Sequence, residues 1–265
     1  LKAEKDKDSS SLPWAINLLL PFVMWLAYVL PALMLANFLK FGSKMMAKRF
    51  IAGENIKKSL PTIRQLSQTG RDATLDQLGE LVLCEEEADH YKNKVLDIIQ
   101  GLRKIYPNGE RNPAGILRAH ISIKTTALGS QLKPYAFEDC YQKISPRLTE
   151  ILLAAKSANV YVNIDAEHYH YRDAVWRIYA KVLKENKVLY NWKDTGIVVQ
   201  AYLADAVKHL KEIFAFLSER KVVMPIRLVK GAYWDAETIE ARAHHYDPPQ
   251  FLNKIETDIH FRQLS

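Results

Sequence analysis

The sequence predicts an α/β protein: helices first, then a series of parallel βα units. Three observations carry that expectation. Four short β-branched runs stand out, "HISIK" (120–124), "VYVNID" (160–165), "GIVVQ" (196–200) and "MPIRLV" (224–229). Between them lie stretches with helical spacing, such as "YQKISPRLTEILLAAKSA" and "DAVKHLKEIFAFLSER". Such alternation belongs to parallel sheets, either a doubly wound sheet or a (β/α)8 barrel. Third, neither a GxGxxG nor a GxxxxGK(S/T) stretch occurs. That weighs against a dinucleotide-binding sheet and leaves the barrel as the better fit.

The N-terminal part, residues 1–45, reads as a polar start followed by a hydrophobic helical segment. No charged residue occurs from Ser9 to Leu39, longer than the roughly 20 apolar residues a membrane span needs. Trp14, Trp25 and Tyr28 suit interfacial positions, and Lys40, Lys44, Lys48 and Arg49 follow. Pro21 and Pro31 break the run into shorter pieces. Residues 12–39 therefore read either as a membrane anchor or as helices lying on a surface. The basic side would face the cytoplasm. The chain opens at Leu1 rather than Met, so its start is expected upstream.

Residues 46–110 read as a helical arm and linker. "NIKKSLPTIRQLSQTG" stops at Gly70, and "TLDQLGELVLCEEEADHYKNKVLDIIQGL" carries apolar residues at helical spacing. "YPNGERNPAG" is turn-rich. Residues 111–265 hold the βα units.

Composition narrows the classes. The 265 residues, 48% hydrophobic and 25% charged, describe a globular chain and not a disordered one. The net charge of +7 comes from scattered lysines with no basic block and no groove-reading motif, so no nucleic-acid partner is expected. An anionic membrane face suits the same charge. Cys84 and Cys140 are far apart and form no CxxC pair, which argues against zinc or a disulfide framework and for a reducing compartment.

The strand exits carry the functional signal, because a barrel places its active site at the C-terminal ends of its strands. The four runs exit at Lys124, at Asp165 with Glu167 close behind, at Gln200, and through Arg227 and Lys230. Lysine and arginine can hold a carboxylate. Asp165 can fix a neighbouring lysine. Gln200 offers a donor and an acceptor to a heteroaromatic edge, and Tyr233 and Trp234 offer flat surfaces. A small zwitterion or anion fits that set. Other constellations are weaker. His168 and His170 in "DAEHYHYRD" alternate at i, i+2 with no third imidazole, so no metal site is expected. Lys124 or Lys230 would suit an imine-forming lyase or aldolase if desolvation depressed its pKa.

"IRLVKGAYWD" closely resembles the signature of the proline dehydrogenase family, as found in bifunctional proline utilization A. "ISIKTTAL", "VNIDAE" and "GIVVQAY" resemble the first three barrel strands of that family, and "LDQLGELVL" resembles its preceding helix. The likeness runs from about Met46 to the end. It implies a (β/α)8 barrel that binds FAD and oxidises L-proline to 1-pyrroline-5-carboxylate, with electrons passed to a membrane quinone at the cytoplasmic face of the inner membrane. A fused or separate pyrroline-5-carboxylate dehydrogenase would take the product. By the same resemblance, Lys124 would contact the substrate carboxylate, Asp165 would order the pocket and Glu80 would help close it. Gln200 and Arg227 would hydrogen-bond the flavin, with Val229, Lys230, Gly231, Ala232 and Trp234 lining it. Lys254 and Thr257 would reach its adenosine end, where Leu252 and Asn253 depart from the family pattern.

The family continues with further strands and a helix bearing paired arginines, whereas this chain stops at Ser265. The sequence is therefore expected to be a fragment: N-terminal helices and the first half of a (β/α)8 barrel, truncated, inactive when isolated.

Overall fold

The computed structural model describes residues 21, 31–47, 50–79 and 81–265. It divides into two compact units, Leu1–Lys58 and Ser59–Ser265. In the first, helix α1 (Ala32–Ala47) exposes Met34, Phe38, Phe41, Met45 and Met46. Among the described residues, no helix is long and apolar enough to cross a membrane. Most of the expected anchor, residues 12–39, lies outside the described residues, as does Glu80.

Helix α2 (Ile56–Gln68) stops just before Gly70, whose φ of 75° is a conformation that glycine adopts at low cost. The sheet follows: β1 (Thr74–Asp76), β2 (His120–Ile123), β3 (Tyr161–Ile164), β4 (Thr195–Gln200) and β5 (Ile226–Val229). The five strands lie side by side in chain order and every pair is parallel. Helices α3 (Glu85–Ile105), α4 (Phe137–Ala158), α5 (Tyr169–Glu185) and α6 (Ala206–Arg220) make the crossovers. Two more, α7 (Trp234–His244) and α8 (Lys254–Leu264), follow β5. Sequential parallel strands joined by helices form the wall of a (β/α)8-type barrel.

The helix expected from the leucine spacing between Thr74 and Cys84 does not form. Instead, Thr74–Asp76 is a strand paired with β2, and the helix starts at Glu85. The leucines supply no helical core face: Leu78, Leu81 and Leu83 are exposed. Glu85, Glu86 and Glu87 in the first turn of α3 complement the positive end of its dipole.

The pairing registers sort the strands into two faces, because side chains alternate along each strand. Ile121, Ile123, Val162, Ile164, Ile197 and Val199 share one face and are buried. Helices α4 to α6 contribute Ile144, Leu148, Ile151, Ile178, Leu183 and Ile213 to the same core. The other face is polar. It carries Thr74 and Asp76, then His120 and Ser122, then Tyr161 and Asn163, then Gly196 and Gln200, then Arg227. Burial is complete along β4 but only partial along β5.

Candidate active site

The polar face converges on Asp165, just past the end of β3. Its Oδ1 accepts from Ser122 Oγ at 2.5 Å, from Asn163 Nδ2 at 3.1 Å and from Arg227 Nη2 at 2.5 Å. Its Oδ2 lies 3.4 Å from Lys124 Nζ. The lysine donates more closely to Asp76, at 2.8 Å to Oδ2 and 3.1 Å to Oδ1. Two cations and two anions from four strands thus form one neutral cluster. Asp165 is buried, yet Arg227 remains 42% exposed, so the cluster opens outward on the β5 side.

The electrostatics follow from this packing. Burial works against the Lys124 charge, but its hydrogen bonds to Asp76 and the nearby Asp165 outweigh that, and its pKa is held above the ordinary lysine value. An imine-forming lysine needs the reverse. Asp76 is pushed up by burial, partly opposed by Lys124. His120, on the same face, is driven down to about 4 by burial and by the Arg227 charge. Its ring is therefore neutral at physiological pH and meets Tyr161 edge-on at 4.3 Å.

Further hydrogen bonds, away from the charge cluster, fix the strand exits. The backbone N–H of Lys124 donates to Tyr91 Oη at 3.0 Å. Glu167 is buried; its carboxyl accepts from the Thr126 hydroxyl and from the Thr126 N–H. Gln200 Nε2 donates to the Glu167 carbonyl oxygen at 3.1 Å. Burial pushes the Glu167 carboxyl up to about 7 against those hydrogen bonds.

A separate group surrounds a cavity of about 330 Å³ lined by Tyr202, Lys230, Gly231, Trp234, Leu252, Lys254 and Thr257. Gly231 has φ 147°, and a Cβ there would lie 2.3 Å from the Tyr202 ring. Only glycine fits both restraints. Lys230 Nζ and Lys254 Nζ flank Asp258 at 2.5 Å and 2.8 Å, which holds that carboxyl at about 2. Trp234 Nε1 donates to the Phe251 carbonyl at 2.9 Å, so the indole plane is fixed. A cradle with a wall free of Cβ, a fixed aromatic plane and two lysines is suited to a flat, anionic group such as a flavin nucleotide.

The residues read from the sequence thus fall into two sets. Lys124, Asp165 and Arg227 meet directly. Lys230, Gly231, Trp234, Lys254 and Thr257 line the cavity, with Ala232 exposed beside Gly231. Val229 is half-buried in β5, and Gln200 is buried at the end of β4. Leu252 also lines the cavity, while Asn253 caps α8 by accepting from the Ile255 N–H at 2.8 Å. His168 packs against Tyr233 at 4.2 Å, and among the described residues no group of His, Cys, Asp and Glu could hold a metal. Asp76, Ser122, Asn163, Tyr91 and Tyr202 were not anticipated. For Ser122 and Asn163 the signal was present: each sits two positions before a strand-exit residue and so faces the same way.

A family model described as proline dehydrogenase matches residues 59–265. Proline dehydrogenase 1 of Bacillus subtilis is 29% identical over 224 residues, covering 84% of this chain and 61% of that protein. The bifunctional protein PutA of Salmonella typhimurium is 29% identical, covering 82% of this chain and 16% of that protein. The crystal structure of proline utilization A from Bdellovibrio bacteriovorus, inactivated by N-propargylglycine, superposes with a TM-score of 0.80 at 31% identity. That match covers 87% of this chain and 25% of that one. The chain therefore spans less than two thirds of these relatives. Because the family model takes in all five strands and every residue of both clusters, this chain belongs to the proline dehydrogenase family.

Proposed function

We propose that this chain carries part of the active site of a flavin-dependent proline dehydrogenase, which oxidises L-proline to 1-pyrroline-5-carboxylate. The observation that carries the reading is the neutral Lys124–Asp165–Arg227–Asp76 cluster at the strand exits, next along the chain to a cradle suited to a flavin nucleotide. A bound FAD would supply the two-electron acceptor for the substrate's C–H bond.

The chain's own residues have distinct tasks in this reading. Lys124 binds the proline carboxylate; its two acidic partners hold it charged and aimed. Asp165 orders that lysine and Arg227 together. Arg227, still partly exposed, presents its guanidinium to the flavin ring together with Gln200. Val229, Lys230, Gly231, Ala232 and Trp234 line the cofactor, and Lys254 and Thr257 meet its nucleotide end. By the family resemblance Glu80, outside the described residues, would help close the pocket. A zwitterionic substrate adds no net charge to a neutral cluster, so binding leaves no charge unbalanced.

Electrons would pass on to a membrane quinone. Exposed Phe38, Phe41 and Met45 on α1, with Lys40 and Lys44 on the same helix, support contact with an anionic bilayer at the cytoplasmic face. A fused or separate dehydrogenase would take the pyrroline product; the PutA relative is named a bifunctional protein.

The test is spectroscopic. The protein purified from its full open reading frame should be yellow, and anaerobic proline should bleach its flavin absorbance until a quinone restores it. A full-length protein that binds no flavin would sink the proposal.

A further inference from the structure

We propose that Glu167 is a positioning residue for the reaction above, setting the placement of both Lys124 and Gln200 from one buried side chain and its own carbonyl group. The inference rests on the proline dehydrogenase reading and deepens it.

Three contacts carry it. The Glu167 carboxyl takes both donors of Thr126, the N–H at 3.2 Å and the hydroxyl. Thr126 belongs to the 3-10 turn Thr125–Leu128, which Lys124 caps and to which the Lys124 carbonyl is tied by the Ala127 N–H at 3.2 Å. Seating that turn therefore seats the backbone from which the Lys124 side chain projects. On the other side, the Glu167 carbonyl oxygen takes the Gln200 amide N–H at 3.1 Å. One residue thus ties together the exits of β2, β3 and β4, while lying only 5% exposed.

A carboxylate suits this task because it can accept both Thr126 donors at once. A proton on Glu167 reverses the bond to the Thr126 hydroxyl, which then accepts, and it removes the charge that strengthens both bonds. The groups acting on it are the Thr126 donors, Lys124 and the Thr125 backbone from the β2 exit, which favour the charge, with Tyr91 from α3 and Tyr171 from α5 nearby. Burial outweighs Lys124, so the proton is taken up near pH 7. As pH falls through that range, two charge-assisted bonds become neutral and weaker, and the turn that seats Lys124 is held less firmly.

The experiment measures steady-state proline oxidation by the full-length flavoprotein from pH 5.5 to 8.5. The wild type should show KM for proline rising as pH falls through about 7, with kcat changing less. Glu167→Gln, permanently neutral, should show a KM raised roughly tenfold at pH 8 and no limb near pH 7. Thr126→Val should raise KM comparably, the double variant should add little more, and Thr126→Ser should keep the wild-type KM. If Glu167→Gln does not fold, the two Thr126 variants decide alone. A Glu167→Gln or Thr126→Val enzyme with wild-type KM and an unchanged pH profile overturns the inference and leaves the functional reading intact. A wild-type protein without flavin or proline oxidation overturns both.

Discussion

Arg227 donates to Asp165 across 62 positions of chain, at 2.5 Å, while Lys124 reaches the other oxygen of the same carboxylate. Asp165 is therefore the point on which two strand-exit cations depend. Asp165→Ala leaves Lys124 and Arg227 without a shared anion. Turnover of proline should fall by roughly 10²-fold or more, because catalytic groups held about 1 Å out of place lose that much. Asp165→Asn, which still accepts hydrogen bonds, should retain more activity than Asp165→Ala. Equal loss in both variants would show that charge alone matters.

Lys124→Met keeps the length of the side chain and removes its charge. The expected change is in KM for proline, raised roughly 30- to 150-fold, the value of a charge-assisted hydrogen bond of about 2–3 kcal/mol. Flavin content should stay at the wild-type level, because the cofactor-lining residues are a different set. A variant that loses flavin instead would move Lys124 from the substrate to the cofactor.

Gly231→Ala meets two obstacles: a backbone at φ 147° and a Tyr202 ring atom 2.3 Å from the new methyl group. Denaturant unfolding should show destabilisation of about 2–4 kcal/mol. In a Tyr202→Ala background, itself less stable because Tyr202 is buried, the further cost of Gly231→Ala should be smaller but not zero, since removing the ring relieves the clash and leaves the dihedral strain. No further cost in that background would show the strain to be negligible.

Stability should depend on pH with a sign set mainly by half-buried His120 and buried His209 and Glu167. His120 and His209 are each held near 4 by burial, well below the free imidazole. The unfolded chain protonates them near 6.5, so the stability they lend is present above that value and is lost as pH falls toward 4. Glu167 acts oppositely: raised to about 7 from 4.5 by burial, it disfavours the fold as pH rises through that window. Asp76, also raised by burial, acts with Glu167 at the low end of the range, so stability should rise with pH toward 6.5 by at most about one proton's slope. His209→Gln should flatten the curve in that range. Urea midpoints measured from pH 4 to 7.5 would show a falling curve if the histidines were not buried neutral.

Much of this was legible in the sequence, for reasons that can be named. The runs at 120–124, 160–165, 196–200 and 224–229 became strands because their β-branched residues face a helix-covered core, though β5 starts at Ile226, after Pro225. Lys124, Asp165 and Arg227 were found because strand ends in parallel barrels converge. Asp76 was missed because β1 is three residues long and its leucines continue a helix-like spacing into an irregular segment. Tyr91 and Tyr202 were missed for a different reason. Each reaches the site from outside the strand runs, Tyr91 from α3 and Tyr202 from the turn after β4, so no local pattern marks either one.

The order of the strands also bears on how the protein comes to be folded. Because neighbours in the sheet are neighbours in the chain, each new βα unit docks on one already made, and no strand has to be threaded between two others. Closing such a loop costs little more when it is longer, about 0.6 kcal/mol for each doubling. During synthesis the sheet can grow from β1 outward. Arg227 arrives with the fifth strand, so the charge cluster around Asp165 is completed only after the rest of the wall stands. Chemistry is the last thing this stretch of chain assembles.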